Sequence, residues 1–261
     1  MSSAMSAVTF RLPEKTISAF WTHSTLPCPV RLIYPALPLH WLNSYESELI
    51  QLLDAFHSGD IFKHPPFDGL EQETHELRDI AFSGDGEPTS FRNFAACVDA
   101  TAGQLKRVGF DKVKVVVITN ATYFHKDWMV DALGALDRCN SEIWAKLDAG
   151  TQEYMSLVNK TKFPIKKLVD NIAFAGQGRK IAIQSMFMNV RGVPPDASEL
   201  DAYISRLREL IERGAQIAKV QVYTVARPPA ESFVTRLGKN DIDAIVECIK
   251  TETNLNAEPY Y

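Results

Sequence analysis

From Tyr45 onward the apolar positions fall into two alternating rhythms. Leu49, Ile50, Leu53 and Phe56 recur at helical spacing, which predicts a helix beginning at Tyr45. After a Pro-Pro loop at residues 64–68, Asp79–Phe82 reads as a strand and Ser90–Val108 as a helix. Val113–Thr119 is an almost unbroken β-branched run, the pattern of a parallel strand covered on both faces. The same reading gives helix at Lys126–Asp137, strand at Glu142–Leu147, and helix at Thr151–Val158 and Ile165–Phe174. Lys180–Met188 is a strand. Asp196 and Glu199 form the two ends of a capping box before a helix with Tyr203, Ile204, Leu207, Leu210 and Ile211 inward. Lys219–Thr224 is a strand. Asn240 caps a last helix that buries Ile242, Ile245, Val246 and Ile249. Five strand–helix units in succession predict an α/β fold with a parallel sheet and right-handed crossovers. They are too few for a closed eight-stranded barrel, so an open sheet or a partial barrel is expected.

The first 44 residues follow neither rhythm. They hold five prolines (Pro13, Pro27, Pro29, Pro35, Pro38), four charged residues and no glycine. The remaining 217 residues carry all 13 glycines and nearly three times the density of charge. Pro27–Trp41 would break a helix or a central strand, yet it is too apolar for a solvated linker. The expected organisation is an atypical segment at 1–44 and a regular α/β body at 45–261.

Composition narrows the function classes. A net charge of −4 provides no field that would gather nucleic acid or an anionic membrane. No apolar run approaches the roughly 18 residues of a spanning helix. The start lacks a charged, then apolar, leader, so a cytoplasmic location is expected. The four cysteines (Cys28, Cys97, Cys139, Cys248) are far apart and form no CxxC pair. Nor do the six histidines show metal spacing.

Ligands of parallel α/β folds gather at the carboxyl ends of the strands. Five successive strands deliver polar groups there: residues 83–89 (SGDGEPT), Thr119-Asn120, residues 146–150 (KLDAG), Gln184, and residues 223–231 (YTVARPPAE). Each has a plain structural reading as well. Gly84 and Gly86 suit a tight turn or a backbone approach to an anion. Glu87 suits a loop acid or a partner for a ligand ammonium. Lys146 and Asp148 suit an internal ion pair or a ligand site. Gln184 needs amide partners, which the core itself can supply. A barrel lyase with Lys146 as a Schiff-base amine would leave the GDGEPT loop unexplained.

FSGDGEPT (82–89), ITNAT (118–122), IWAKLDAG (143–150), IQSMFM (183–188) and VQVYTVARPPAE (220–231) together resemble the radical SAM superfamily, in particular its bacterial core proteins with SGxGEPT, KLDAG and RPPAE motifs. The resemblance covers about residues 45–261. It implies a partial (β/α)6 barrel that binds S-adenosylmethionine (SAM). It assigns Gly84, Asp85, Gly86 and Glu87 to the methionyl amino group and Asn120 to the ribose. It assigns Lys146 and Asp148 to cofactor or substrate, puts Gln184 facing the centre, and sets the backbone at Val222–Tyr223 beside the adenine. It also implies a [4Fe–4S] cluster held by a CxxxCxxC loop after the first strand. That loop is missing. Its place falls in the atypical segment, which offers Cys28 alone, so the first strand and cluster loop are expected to be replaced or lost. Three functions stay open: a radical SAM enzyme that cleaves SAM reductively to a 5′-deoxyadenosyl radical, a cluster-free SAM- or nucleotide-binding module, and a truncated product. A small molecule is the expected partner, with no nucleic acid and no membrane.

Overall fold

The computed structural model describes residues 7–11, 40–64, 67–68, 75–83, 86–226, 229 and 231–261, with side chains from Tyr45 onward. The fold is α/β, with a parallel-strand sheet of six strands that stays open, as in a partial TIM-type barrel. These strands are β2 (Asp79–Ser83), β3 (Lys114–Thr119), β4 (Ser141–Lys146), β5 (Lys180–Met186), β7 (Gln216–Tyr223) and β9 (Ala257–Tyr260). A further strand, β1 (Ala7–Arg11), runs antiparallel along β2, with Ala7 opposite Ser83 and Arg11 opposite Asp79. Strand order is β1-β2-β3-β4-β5-β7-β9. A short antiparallel pair, β6 (Met188–Val190) with β8 (Val234–Arg236), stands apart from that sheet. No described helix is long and apolar enough to cross a membrane. The chain divides into two compact units.

The first unit comprises Met1–Ile118 and Lys126–Glu142. Its parallel pair is β2 and β3, and Val115, Val116 and Val117 are almost wholly buried, as the β-branched run predicts. Helix α1 (His40–Ser58) starts five residues before the regular pattern does. It buries Tyr45, Leu49 and Leu53, and the Tyr45 ring stacks on Phe82, which meets Phe94 edge-on at 5.1 Å. The Tyr45 hydroxyl bonds that of Thr101 on α2 (Phe94–Arg107). Burial pushes this phenol far above its ordinary pKa. Helix α2 starts at Phe94 rather than Ser90. Pro88 instead opens a 3-10 turn over Pro88–Ser90, and the chain bends again before the helix begins. Helix α3 is Asp127–Asp137.

The second unit comprises Thr119–His125 and Ile143–Tyr261. Its helices are α4 (Gln152–Val158), α5 (Ile165–Gly176), α6 (Ala197–Glu212) and α7 (Lys239–Thr253). Successive side chains of a strand point to opposite faces. On β5, Ile181, Ile183 and Ser185 take the helix side, where the Ser185 hydroxyl meets that of Tyr203 on α6 at 2.7 Å. Ala182, Gln184 and Met186 take the other. Lys146, Gln184, Gln221 and Glu258 stand opposite one another in register and so form one row on that second face. A bulge sets this register. Ile181 pairs with Ile217 and Ala182 with Lys219, so Ala218 is an extra residue in β7.

Four expectations change here. Strand β5 ends at Met186, because residues 188–190 leave the sheet to pair with β8. Asp196 does cap α6 through the Glu199 N–H at 2.8 Å, but the Glu199 side chain turns away from the box toward the loop after β4. Ile211 is 38% exposed, since Leu210 takes the inward place in the last turn. The cap of α7 is Gly238, whose N–H donates to Asp241, and Asn240 lies within the helix. Strand β9 is an addition that the patterning did not show, because AEPY has no alternation and contains a proline.

Candidate functional site

In the first unit, Gly86 and Glu87 follow β2, while Gly84 and Asp85 lie outside the described residues. Oε1 of Glu87 accepts from the Thr89 N–H at 3.0 Å and from the Thr89 hydroxyl. The Glu87 carbonyl accepts from the Ser90 N–H and hydroxyl. This carboxylate therefore caps its own loop, and that is why Glu-Pro-Thr holds one shape. Thr89 is fully buried, and its carbonyl accepts from the indole N–H of Trp128 on α3 at 3.0 Å.

In the second unit, the turn after β3 is built from its own side chains. Oγ1 of Thr119 accepts from the Ala121 N–H at 2.9 Å, and Oδ1 of Asn120 accepts from Thr122 N–H and hydroxyl. Ala121 sits at φ +60°, a left-handed conformation that costs an L-residue about 1–2 kcal/mol. Asn171, buried on α5, holds it by donating to the Ala121 carbonyl at 2.8 Å. Asn120 is thereby presented at an exposed position.

The residues 146–150 divide by role. Leu147 and Ala149 are core. Asp148, 5% exposed, accepts from the Met186 N–H at 2.9 Å through Oδ1 and from Asn159 Nδ2 at 2.8 Å through Oδ2, so it ties the ends of β4 and β5 together. Gly150 lies against α6, where an added Cβ would stand 2.0 Å from the Tyr203 backbone nitrogen. Its N–H donates to Glu199, which also accepts from the Thr151 N–H and hydroxyl. Lys146 is the residue left over. It is half-buried at the end of β4, opposite Gln184, and its side chain makes no hydrogen bond or ion pair among the described residues. The internal Lys146–Asp148 ion pair is not formed.

Gln184 donates through Nε2 to Oε1 of Gln221 at 3.3 Å, and Gln221 is 4% exposed. Tyr223 follows on the same face, and burial first, then the Asp148 carboxylate, push its phenol far above the usual pKa. Glu231 pairs with Lys160, while Arg227, Pro228 and Ala230 lie outside the described residues. The structure thus groups Lys146, Gln184, Asp148 and Tyr223 at the strand ends of the second unit. Sequence reasoning missed Gln221, Asn159 and Asn171, and gave Glu199 only as a capping-box acid. Only Gln221, a polar residue inside an apolar strand like Gln184, carried a signal.

The thiols do not fit a cluster. Cys97 is buried on α2, and burial pushes its pKa up to about 12. Burial also raises Cys139 and Cys248. Among the described residues no three His, Cys, Asp or Glu side chains converge to hold a metal ion. Cys28 lies outside the described residues.

No family model and no curated protein matches the chain. Solved structures do. One is Streptococcus suis SuiB bound to S-adenosylmethionine, with 14% identity, a TM-score of 0.55 and coverage of 89% of this chain. The match spans 45% of SuiB, under half its length. Another is a domain of pyruvate-formate lyase-activating enzyme from Bacteroides vulgatus ATCC 8482, at 14% identity and a TM-score of 0.50, covering 70% of this chain and 99% of that domain. The fold of this chain is similar to the folds of these two structures.

Proposed function

We propose that this chain binds SAM at the carboxyl ends of its parallel strands. The observation that carries the reading is Lys146, a half-buried ammonium without a partner among the described residues, at the exit of a strand in this fold. Ligands of parallel α/β folds gather at this edge of the sheet. Lys146 is assigned to the SAM carboxylate, Asn120 to the ribose hydroxyls, and the Tyr223 backbone to the adenine. Asp148 acts by holding the ends of β4 and β5, which sets the height of Lys146 relative to Gln184. When bound, SAM supplies a sulfonium whose carbon–sulfur bonds are activated toward cleavage.

No step through a [4Fe–4S] cluster is derived, because the thiols described do not fit one. A cluster-free SAM-binding module is the second reading, supported by the finding that no three metal-ligating side chains converge among the described residues. Equilibrium dialysis against labelled SAM tests the proposal. Retention of SAM is expected, with affinity about tenfold weaker for Lys146→Met, the worth of one charged hydrogen bond. Absence of binding at millimolar SAM would sink it. Iron counted per chain after anaerobic reconstitution separates the two readings: about four irons favour the enzyme, none the module.

A further inference from the structure

The Gln184–Gln221 pair has groups left over. The single bond between the two amides uses one N–H and one carbonyl. Neither the Gln184 carbonyl oxygen nor the Gln221 amide nitrogen has a partner among the described residues. Gln221 is 4% exposed, yet neither free atom is among the wholly buried atoms that lack a hydrogen bond, so both keep some accessible surface for a ligand. If both amides are turned over, the free groups exchange, but the pair still presents one donor and one acceptor side by side.

The placement is specific. The two glutamines stand opposite each other across β5 and β7, in register only because the extra residue Ala218 shifts β7 by one position. Without the bulge, the opposite face of β7 would meet Gln184, and Val220 or Val222 would stand in place of the amide. Bulges of this kind re-aim side chains beside functional sites.

We propose that Gln184 and Gln221 bind a substrate through a cis-amide edge, that of a primary carboxamide or a lactam. In such a group the N–H and the carbonyl point the same way. Its N–H donates to the free glutamine carbonyl and its carbonyl accepts from the free glutamine N–H, closing a ring of three amides. A trans peptide group points its N–H and carbonyl in opposite directions and does not close the ring. The bonds in such a ring polarise one another in the same sense. The proposal deepens the SAM-binding reading by naming a substrate group beside the cofactor, and rests on it for the word substrate.

The test uses the full chain and small probes by ligand-observed NMR. 2-Pyrrolidinone and propionamide are compared with γ-butyrolactone and N-methylacetamide, which lack the cis N–H. The lactam and the carboxamide are expected to bind about tenfold more tightly than the lactone and the trans amide, since each control can make only one of the two bonds and leaves the other glutamine group unmet. Gln184→Leu/Gln221→Leu replaces both amides by apolar groups of similar size, so no buried group is orphaned and the fold is kept. It should abolish the discrimination between lactam and lactone. Equal binding of lactam and lactone by the wild type, absence of all probe binding, or discrimination that survives in the double variant each overturns the proposal. Wild-type protein that discriminates the probes but binds no SAM overturns the SAM reading alone.

Discussion

Gly150→Ala is a sharp test of how the loop after β4 is held. An added Cβ would lie 2.0 Å from the Tyr203 nitrogen, 2.4 Å from the Ala202 carbonyl carbon and 2.6 Å from the Tyr203 Cα. All three are backbone atoms of α6, so no rotamer relieves the clash. Restoring ordinary contact needs a shift of more than an ångström, and interiors packed at crystal density resist that. Overpacking of this kind costs about 1–3 kcal/mol. The same shift pulls the Gly150 N–H from Glu199 and the Gly150 carbonyl from Arg206 Nε. Leaving the buried Glu199 carboxylate short of a donor adds about 1–3 kcal/mol. The sum, about 2–6 kcal/mol, is a large share of the 5–15 kcal/mol that stabilises a typical domain. In a chain of this size it lowers Tm by roughly 5–20 °C, at about 2–4 °C per kcal/mol. Urea unfolding followed by tryptophan fluorescence measures it. A Gly150→Ala protein within about 0.5 kcal/mol of wild type, the range of a neutral surface change, would refute the close approach to α6.

Asn171→Leu orphans the Ala121 carbonyl and frees a left-handed turn, so stability should fall by about 1–3 kcal/mol, read by urea titration, with a parallel loss of SAM affinity through Asn120. Burial raises the phenols of Tyr45, Tyr154, Tyr203 and Tyr223, that of Tyr154 to about 12. A raised folded-state pKa means stability that is complete below the unfolded value near 10 and is lost as pH rises through the folded one. Spectrophotometric titration should therefore leave at least these four of the eight tyrosines un-ionised until alkaline unfolding, and Tyr154→Phe should lessen the loss of stability between about pH 10 and 12. Iodoacetamide at pH 8 should spare Cys97 in the folded protein and label it after unfolding, since its thiol is pushed up to about 12.

The body of the fold was legible because each element repeats a period. Val115–Val117 and the Ile242, Ile245, Val246 and Ile249 stripe could hardly be read otherwise, and they are buried as expected. What the pattern could not show is set by contacts between residues far apart in sequence. Glu199 has the right spacing for a capping box, but two backbone N–H groups and a hydroxyl some 50 residues earlier compete for its carboxylate and win. Asp148 sits at a strand exit, and its two oxygens accept from Met186 and Asn159, partners 38 and 11 residues away that no local pattern announces. Gln221 could be placed beside Gln184 only once the bulge fixed the register, and one residue of slip is invisible in a sequence.

Strand β9 comes last in the strand order, and its pairing with β7 aims alternate backbone groups outward. The Asn256 carbonyl accepts from the Val220 N–H, so residues 256, 258 and 260 face β7 while Ala257 and Pro259 face away. Proline therefore falls where a donor would otherwise be offered to any passing strand. A second molecule trying to extend the sheet from this side finds one N–H missing from a four-residue strand, and the flanking Glu258 charge opposes stacking in register. The motif that made β9 unreadable as a strand is what keeps it from acting as a template for self-association.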